Sequence, residues 1–273
     1  MIRWCSYCQA FVGEDRPYDD PSLTHGICPS CAVQFARGDE LVDMTERVRD
    51  LMNRIFACAS RADERAIPGL IAEAGTAGLS PASMLVGFLQ PALYRAGRAW
   101  QEGCMSVVEE HRFTLWCERF LAQLPPRAPV TPVDLLILLA PGNAHSLGAR
   151  FAAEFLDARG ICTQVVVPEI PVFEAAKEIE RLRPLVVGFS CALSSCLPEA
   201  DRVVADLRAR IDASWQGTFV LSGLALRAPN ASWTSAAGAV VAVTLDDVER
   251  LVTTFRLPEP KPLPPQSPRP PIP

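Results

Sequence analysis

The chain has 273 residues, 49% of them hydrophobic, and a formal net charge of −5. That leaves room for two domains and a small appendage around sizeable cores. The acidic balance and the lack of a long basic run argue against non-specific nucleic-acid binding, and the longest apolar run, near Val133–Ala140, is too short to span a bilayer.

The opening residues Met1-Ile2-Arg3-Trp4-Cys5 hold no apolar signal segment, so a cytoplasmic location is expected. In that setting the ten cysteines read as metal ligands, catalytic groups or small core residues rather than as a disulfide framework. Residues 1–36 carry Cys5-Ser6-Tyr7-Cys8 and Cys28-Pro29-Ser30-Cys31. Two CxxC hairpins supply four soft thiolates, a tetrahedral set suited to Zn²⁺ and typical of a zinc ribbon. The polar, turn-rich segment between them could not form a core without the metal. His25 reads as a surface residue. Arg3 and Arg16 stand against Glu14, Asp15, Asp19 and Asp20, a balance that favours docking to protein over reading DNA.

Residues 39–124 show helical periodicity. Asp43-Met44-Thr45-Glu46 has capping-box form, and Val48, Leu51, Met52, Ile55 and Phe56 then recur as one apolar stripe. A second helix is expected over about 62–77. A third opens at Ser80-Pro81 and runs to about Trp100, where Gly103 breaks it. Ser106-Val107-Val108-Glu109 is a further capping box that opens a fourth. Four such helices joined by short turns predict a bundle.

Residues 125–132 form a proline-rich linker. Beyond it, over 133–257, strand-like runs at 133–140, 162–167, 185–190, 218–222 and 239–243 alternate with helical stretches at 146–159, 172–182, 197–212 and 245–255. That order predicts an α/β domain with a five-stranded, parallel, flavodoxin-like sheet. Residues 258–273 are dominated by proline and read as a disordered or polyproline tail.

Three histidines occur, His25, His111 and His145. His145 lies in the first strand–helix loop of the α/β region, at the sheet edge where such folds bind ligands. His111 follows Glu110 in the first turns of the fourth helix, and the break at Gly103 lets this start face the Trp100 end of the third. The run Gly97-Arg98-Ala99-Trp100-Gln101-Glu102-Gly103-Cys104-Met105-Ser106-Val107-Val108-Glu109-Glu110-His111 resembles the G-x-x-W-x-x-G-x-x-S-V-x-x-E-H motif of the cobalamin-binding family. Asn143-Ala144-His145-Ser146-Leu147-Gly148 resembles its D-x-H-x-x-G motif. Ser190-Cys191-Ala192-Leu193 and Ser222-Gly223 match two further strand-end motifs loosely. The resemblance spans about 45–255 and is closest to the family's light-sensing and antirepressor regulators.

The resemblance implies a four-helix cap on a flavodoxin-like domain, with adenosylcobalamin or methylcobalamin between them. His145 would ligate cobalt from below. The cofactor's displaced base would run along the sheet past Ser190, Ala192, Ser222, Gly223 and Ala225. Trp100 would cover the upper axial group, with Glu110 and His111 near it. The family's Asp is Asn143 here, and an amide raises the basicity of a ligating imidazole less than a carboxylate does. Some light-sensing relatives have a His directly after the cap Trp, where this chain has Gln101.

The implied function is a cobalamin sensor of light. It would shift its cap when the upper ligand leaves and signal to a protein partner, such as a regulator or kinase. It would have no catalytic residues and no enzymatic activity of its own. Because no winged-helix segment precedes the cap, direct nucleic-acid contact is not expected. Homo-oligomerisation stays open, as do two alternatives: a corrinoid methyl carrier for a methyltransferase system, or a related module holding a second chromophore such as a bilin. Cys58, Cys104, Cys117, Cys162, Cys191 and Cys196 are expected as small core residues.

Overall fold

A computed structural model describes residues 1–18, 20–40, 42–125, 131–227 and 233–256. Most of the proline-rich linker and the whole of 258–273 lie outside these residues. The N-terminal segment forms β1 (Ile2–Cys5), β2 (Phe11–Glu14) and β3 (Leu23–Gly26), a small sheet of order β2-β1-β3. Only the first CxxC sits in the expected turn, after β1. The second opens helix α1 (Pro29–Ala36), with Cys28 as N-cap, its sulfur accepting from the Cys31 N–H. The β1–β3 pairing is parallel, so the segment is not a pair of hairpins. It also has a core partner that its composition does not advertise, because Ile2, Trp4 and Phe11 are buried in the main hydrophobic core of the molecule.

Helix α2 (Thr45–Ser60) buries Val48, Leu51, Ile55 and Ala59, with Met52 and Phe56 packed alongside. Its expected capping box does not form. Met44 is the N-cap without a side-chain bond, and its N–H is taken by the Ser6 carbonyl at 2.7 Å. Tertiary contact therefore sets this helix start. The second helical stretch divides into a 3₁₀ turn at Glu64–Ala66 and α3 (Ile67–Thr76).

The third starts at Ser80-Pro81 as expected, with α4 (Pro81–Met84), a π-helical turn Leu85–Leu89 and α5 (Gln90–Gln101) in one run. Pro91 explains the π turn. It has no N–H for the Gly87 carbonyl four residues back, and its ring crowds that carbonyl, so the helix widens there. Helix α6 (Val107–Ala122) opens with the full Ser106–Glu109 capping box. Helix α6 packs on α2 and α5, and α3 packs on α2.

The α/β region contains β4 (Leu135–Leu139), α7 (Leu147–Ala158), β5 (Thr163–Val166), α8 (Val172–Leu182), β6 (Val186–Ser190), α9 (Leu197–Arg210), β7 (Thr218–Ser222), β8 (Val240–Ala242) and α10 (Leu245–Phe255). The sheet is parallel throughout, with order β5-β4-β6-β7-β8. The first strand of the region thus lies inside the sheet, and the chain winds outward from it in both directions. The crevice between the ends of β4 and β6 is the topological switch point, where open α/β sheets take ligands.

Strand β4 is buried on both faces, as its unbroken apolar run requires. Leu135, Ile137 and Leu139 face a core shared with α7, α10, the helical segments and the N-terminal sheet, whereas Leu136 and Leu138 face a second core closed by α8 and α9. No helix among the described residues is long and apolar enough to cross a membrane.

Candidate functional site

The loop after β4 turns at Gly142, whose φ of +73° suits glycine. It then brings Asn143 under the sheet edge, 2% exposed. The Asn143 Nδ2 donates to the Ser190 carbonyl at 2.6 Å, at the end of β6. Its Oδ1 accepts from the His145 backbone N–H at 3.0 Å and lies 3.2 Å from His145 Nδ1. The two roles of the amide are fixed by its neighbours. A carbonyl can only accept, so the amide nitrogen must face Ser190, and the oxygen left for His145 requires a proton on Nδ1. In the neutral form of this exposed imidazole, that tautomer leaves the lone pair on Nε2. The Gly142 N–H donates to Glu169 Oε2 at 2.8 Å, a second brace on the loop from the β5–α8 connection.

Around this histidine the edge is open. A Cβ added to Gly148 would meet no atom within 4 Å. Ser190 pairs with Ser222 across β6 and β7, and Cys191 N–H donates to the Ser222 carbonyl at 2.8 Å. Ala192 is half-buried. Gly223 has φ +126°, and a Cβ there would lie 2.3 Å from the Cys191 carbonyl oxygen. The chain's own backbone therefore demands this glycine, whether or not a ligand also passes it. Leu193 and Leu224 leave apolar surface exposed on the same edge.

The second group of expected residues lies at the turn between α5 and α6. Gly103, with φ +74°, closes that turn, its N–H donating to the Trp100 carbonyl at 3.0 Å. Trp100 is 47% exposed, and Val107 and Val108 beside it are also exposed. Glu110 is mostly covered and accepts from Thr114 at 2.9 Å, while the exposed His111 ring lies 3.7 Å from it. The exposed Trp100 and His111 thus stand on the two helices that this turn joins. Cys104 is exposed there too, in contrast to the core position expected of it; Cys117, Cys191 and Cys196 are buried, and Cys58 and Cys162 are partly so.

The sulfurs of Cys5, Cys8, Cys28 and Cys31 all lie within 4.8 Å of one another. A tetrahedral zinc–thiolate site with bonds near 2.3 Å needs sulfurs about 3.8 Å apart, so the four could close on one ion with small shifts. Burial opposes ionisation of Cys5, but backbone N–H groups of Cys8, Cys28 and Tyr7 point at its sulfur and bring the thiol down to about 7. Burial and neighbouring thiols push Cys8 up. His25 stands outside the cluster, half-buried on β3 with Nε2 unpaired.

Arg227 was passed over in the sequence, and Glu14 was counted there only as one of the module's acidic residues. Their side chains, 4% and 5% exposed, form a two-pronged ion pair between the N-terminal sheet and the segment after β7. The guanidinium carbon lies 5.7 Å from the ring centre of Tyr94, on α5. Burial opposes the Arg227 charge, but Tyr94 and Glu14 outweigh it and hold the guanidinium protonated. The pair is 213 residues apart in sequence, so no local pattern could have pointed to it.

Comparison with known proteins bears on this arrangement. Residues 51–124 match the family model of the B12 binding domain. The monomethylamine corrinoid protein of Methanosarcina barkeri superposes with a TM-score of 0.61 at 13% identity, over 76% of this chain and 98% of that one. The methanol:cobalamin methyltransferase complex of the same organism gives 0.38 at 15% identity, over 76% and 79%. A cobalamin-binding protein of Desulfitobacterium hafniense gives 0.35 at 14%, over 75% and 98%. No curated protein sequence matches the chain. The fold is that of a corrinoid protein. The family match is confined to 51–124, a segment of B12 binding domain type.

Proposed function

We propose that the chain holds cobalamin at the carboxyl edge of the sheet, where His145 Nε2 would hold the cobalt, and that it acts as a sensor rather than as an enzyme. The Asn143 relay is the observation that carries this reading. A buried amide that donates to Ser190 leaves an acceptor facing His145 Nδ1, which in the neutral ring orients Nε2 outward as the nitrogen a metal would take. Cobalt(III) takes neutral imidazole in that role. Gly148, Ser190, Ala192, Ser222 and Gly223 would border the lower approach. Trp100 would cover the opposite face, with Glu110 and His111 beside it. Trp100, Val107, Val108, Leu193 and Leu224 leave apolar surface bare at the two ends that would border a large ring system.

In this reading 1–36 is a metal module with Zn²⁺ on Cys5, Cys8, Cys28 and Cys31, 39–124 is the cap, and 133–257 is the lower domain. Bound in the site, the cofactor would supply a light-labile bond to its upper group. Loss of that group would leave the end of α5 at Trp100 free to reseat against α6, a repacking that a protein partner would read. Asn143 favours sensing over methyl carriage. An uncharged relay raises imidazole basicity less than a carboxylate, and a carrier that cycles cobalt through oxidation states draws on that basicity.

The test is uptake in the dark of adenosyl-, methyl- and hydroxocobalamin, with absorption spectrum and hydrodynamic size recorded before and after green light. Binding of an alkylated form with a light-driven change in both is expected. Uptake of none would end the cobalamin reading. Uptake with spectrum and size unchanged by light would end the sensor reading, and methyl transfer to a thiol acceptor through a partner enzyme would replace it with the carrier.

A further inference from the structure

The N-terminal module is wedged between the two halves of the proposed site. On the helical side, Trp4 is fully buried and stacks on Phe88 with centroids 4.7 Å apart and planes 22° apart. It fills the notch left by Gly87 on the π turn, where a Cβ would lie 1.9 Å from the indole. Trp4 Nε1 has no hydrogen-bond partner among the described residues, so packing alone holds the ring. Gln9 Nε2 donates to the Ala77 carbonyl at 2.8 Å, past the end of α3. The Ser6 carbonyl, inside the first CxxC, takes the N–H that starts α2.

On the sheet side, Phe11 meets Phe155 of α7 edge-on, with centroids 5.1 Å apart. Gly13 passes so close to Asp246 of α10 that a Cβ would lie 2.8 Å from the carboxylate. Glu14 closes the buried pair with Arg227, four residues past Gly223 at the sheet edge. Arg227 in turn lies against Tyr94, on the helix that carries Trp100 in its last turn. Trp4 and Cys5 are neighbours on one strand, so a shift of the Cys5 knuckle moves the ring in the Gly87 notch directly.

We propose that the four-cysteine module is a brace that sets the helix bearing Trp100 against the sheet edge bearing His145, with Glu14 and Arg227 as its positioning residues, so that metal in the module raises affinity for cobalamin. This rests on the cobalamin reading and adds a regulating metal to it. Two sites are coupled in this way when one ligand fixes a packing that the other needs. The metal orders the two knuckles. The knuckles seat Trp4 and Glu14, and these seat α5 over the edge. The module is thus part of the cofactor site rather than a separate docking piece.

The experiment uses the full chain in the dark, under reducing conditions. Hydroxocobalamin is titrated by absorption into metal-loaded protein, into chelator-treated protein, and into treated protein given back Zn²⁺. Affinity is expected to fall roughly tenfold or more on metal removal, within the usual range of coupled sites, and to return with Zn²⁺. Equal affinity with and without metal overturns the brace.

Should the metal-free chain unfold, metal-loaded Arg227→Lys keeps the question open to test. It is expected to keep its far-ultraviolet circular dichroism and the cobalt coordination spectrum of the parent while binding more weakly. Unchanged affinity overturns the proposal, and an altered coordination spectrum would make Arg227 part of the ligand site instead. If the parent chain takes up no cobalamin, the functional reading fails on its own. The brace is then judged by hydrogen exchange: faster exchange over 85–101 than over 135–139 on metal removal supports it, and no difference overturns it.

Discussion

The two faces of the five-stranded sheet are closed in different ways. On one face, α8 and α9 lay Ala175, Ala176, Ile179, Ala200, Val204 and Leu207 against Leu136, Val187 and Phe219, and that core draws only on the α/β region. On the other, α7 and α10 are themselves covered. Their core runs on through Met84 and Phe88 into the helical segments, and through Ile2, Trp4 and Phe11 into the N-terminal sheet. The first face is a self-sufficient layer. The second is a joint among three parts of the chain, and the helical group of proposed site residues hangs from it, while the sheet-edge group borders both, with Leu139 and Leu147 in the joint and Ala140, Cys191 and Leu226 in the other core. Damage to the first face should stay local, while damage to the second should spread.

The buried ion pair at the rim of the joint gives the largest expected effect. Arg227→Met leaves the Glu14 carboxylate buried without a counter-charge, which costs about 3–5 kcal/mol. Urea unfolding would measure it. In the double variant Glu14→Leu with Arg227→Met, the unpaired charge is gone and most of the loss should return. A double variant as unstable as the single one would mean that the pair matters for shape rather than charge.

Cavities of comparable kind on the two faces test the comparison itself. Trp4→Ala should cost about 3–5 kcal/mol and Leu207→Ala about 2–5 kcal/mol. The pattern matters more than the size. Hydrogen exchange should quicken across α5, α7 and β1 for Trp4→Ala, but only around α8, α9 and their strands for Leu207→Ala. Equal spreading from both sites would dissolve the distinction between a closed face and a joint.

The sheet edge is next in size. Asn143→Asp removes the donor that faces the Ser190 carbonyl and sets oxygen against oxygen, at a cost of about 1–3 kcal/mol. Chemical denaturation at neutral pH would show it. A variant as stable as the parent would mean that the Ser190 carbonyl is satisfied by the Ala140 N–H alone, which also reaches it at 3.1 Å.

Much of this architecture was legible in the residues, and the parts that were not share one cause. The run Leu135-Leu136-Ile137-Leu138-Leu139 could only be a strand covered on both faces, and the alternation after it fixed a parallel sheet. The Ser106 capping box and the Ser80-Pro81 start are local devices, and both formed. The paired cysteines were legible from spacing alone. Asp43-Met44-Thr45-Glu46 misled because the Ser6 carbonyl, distant in sequence, captured the helix start. Gly87, Pro91 and Trp4 each looked ordinary, since their meaning lies in one ring meeting one notch across more than eighty residues. The Glu14–Arg227 pair is the extreme case. Local periodicity carries element type, while contacts between elements of different parts leave no periodic trace. The brace, which depends wholly on such contacts, was therefore invisible, and the polar segment 13–21 looked unable to pack.

His145→Ala carries the smallest expected change in stability and the sharpest change in chemistry. The ring is exposed and its one side-chain partner among the described residues is Asn143 Oδ1, which keeps a second donor in the His145 backbone N–H. Removing the ring leaves no buried group unpaired and opens no cavity, so unfolding should shift by no more than about 0.5 kcal/mol. If His145 is the axial ligand, the same variant should bind cobalamin more weakly or leave the cofactor's own benzimidazole on cobalt, and the absorption spectrum reports which. A parent-like spectrum would rule His145 out as ligand. A marked loss of stability would place the ring in the packing of the joint, against its exposed position, and erase the contrast between an edge built for a ligand and an interior built to hold that edge in place.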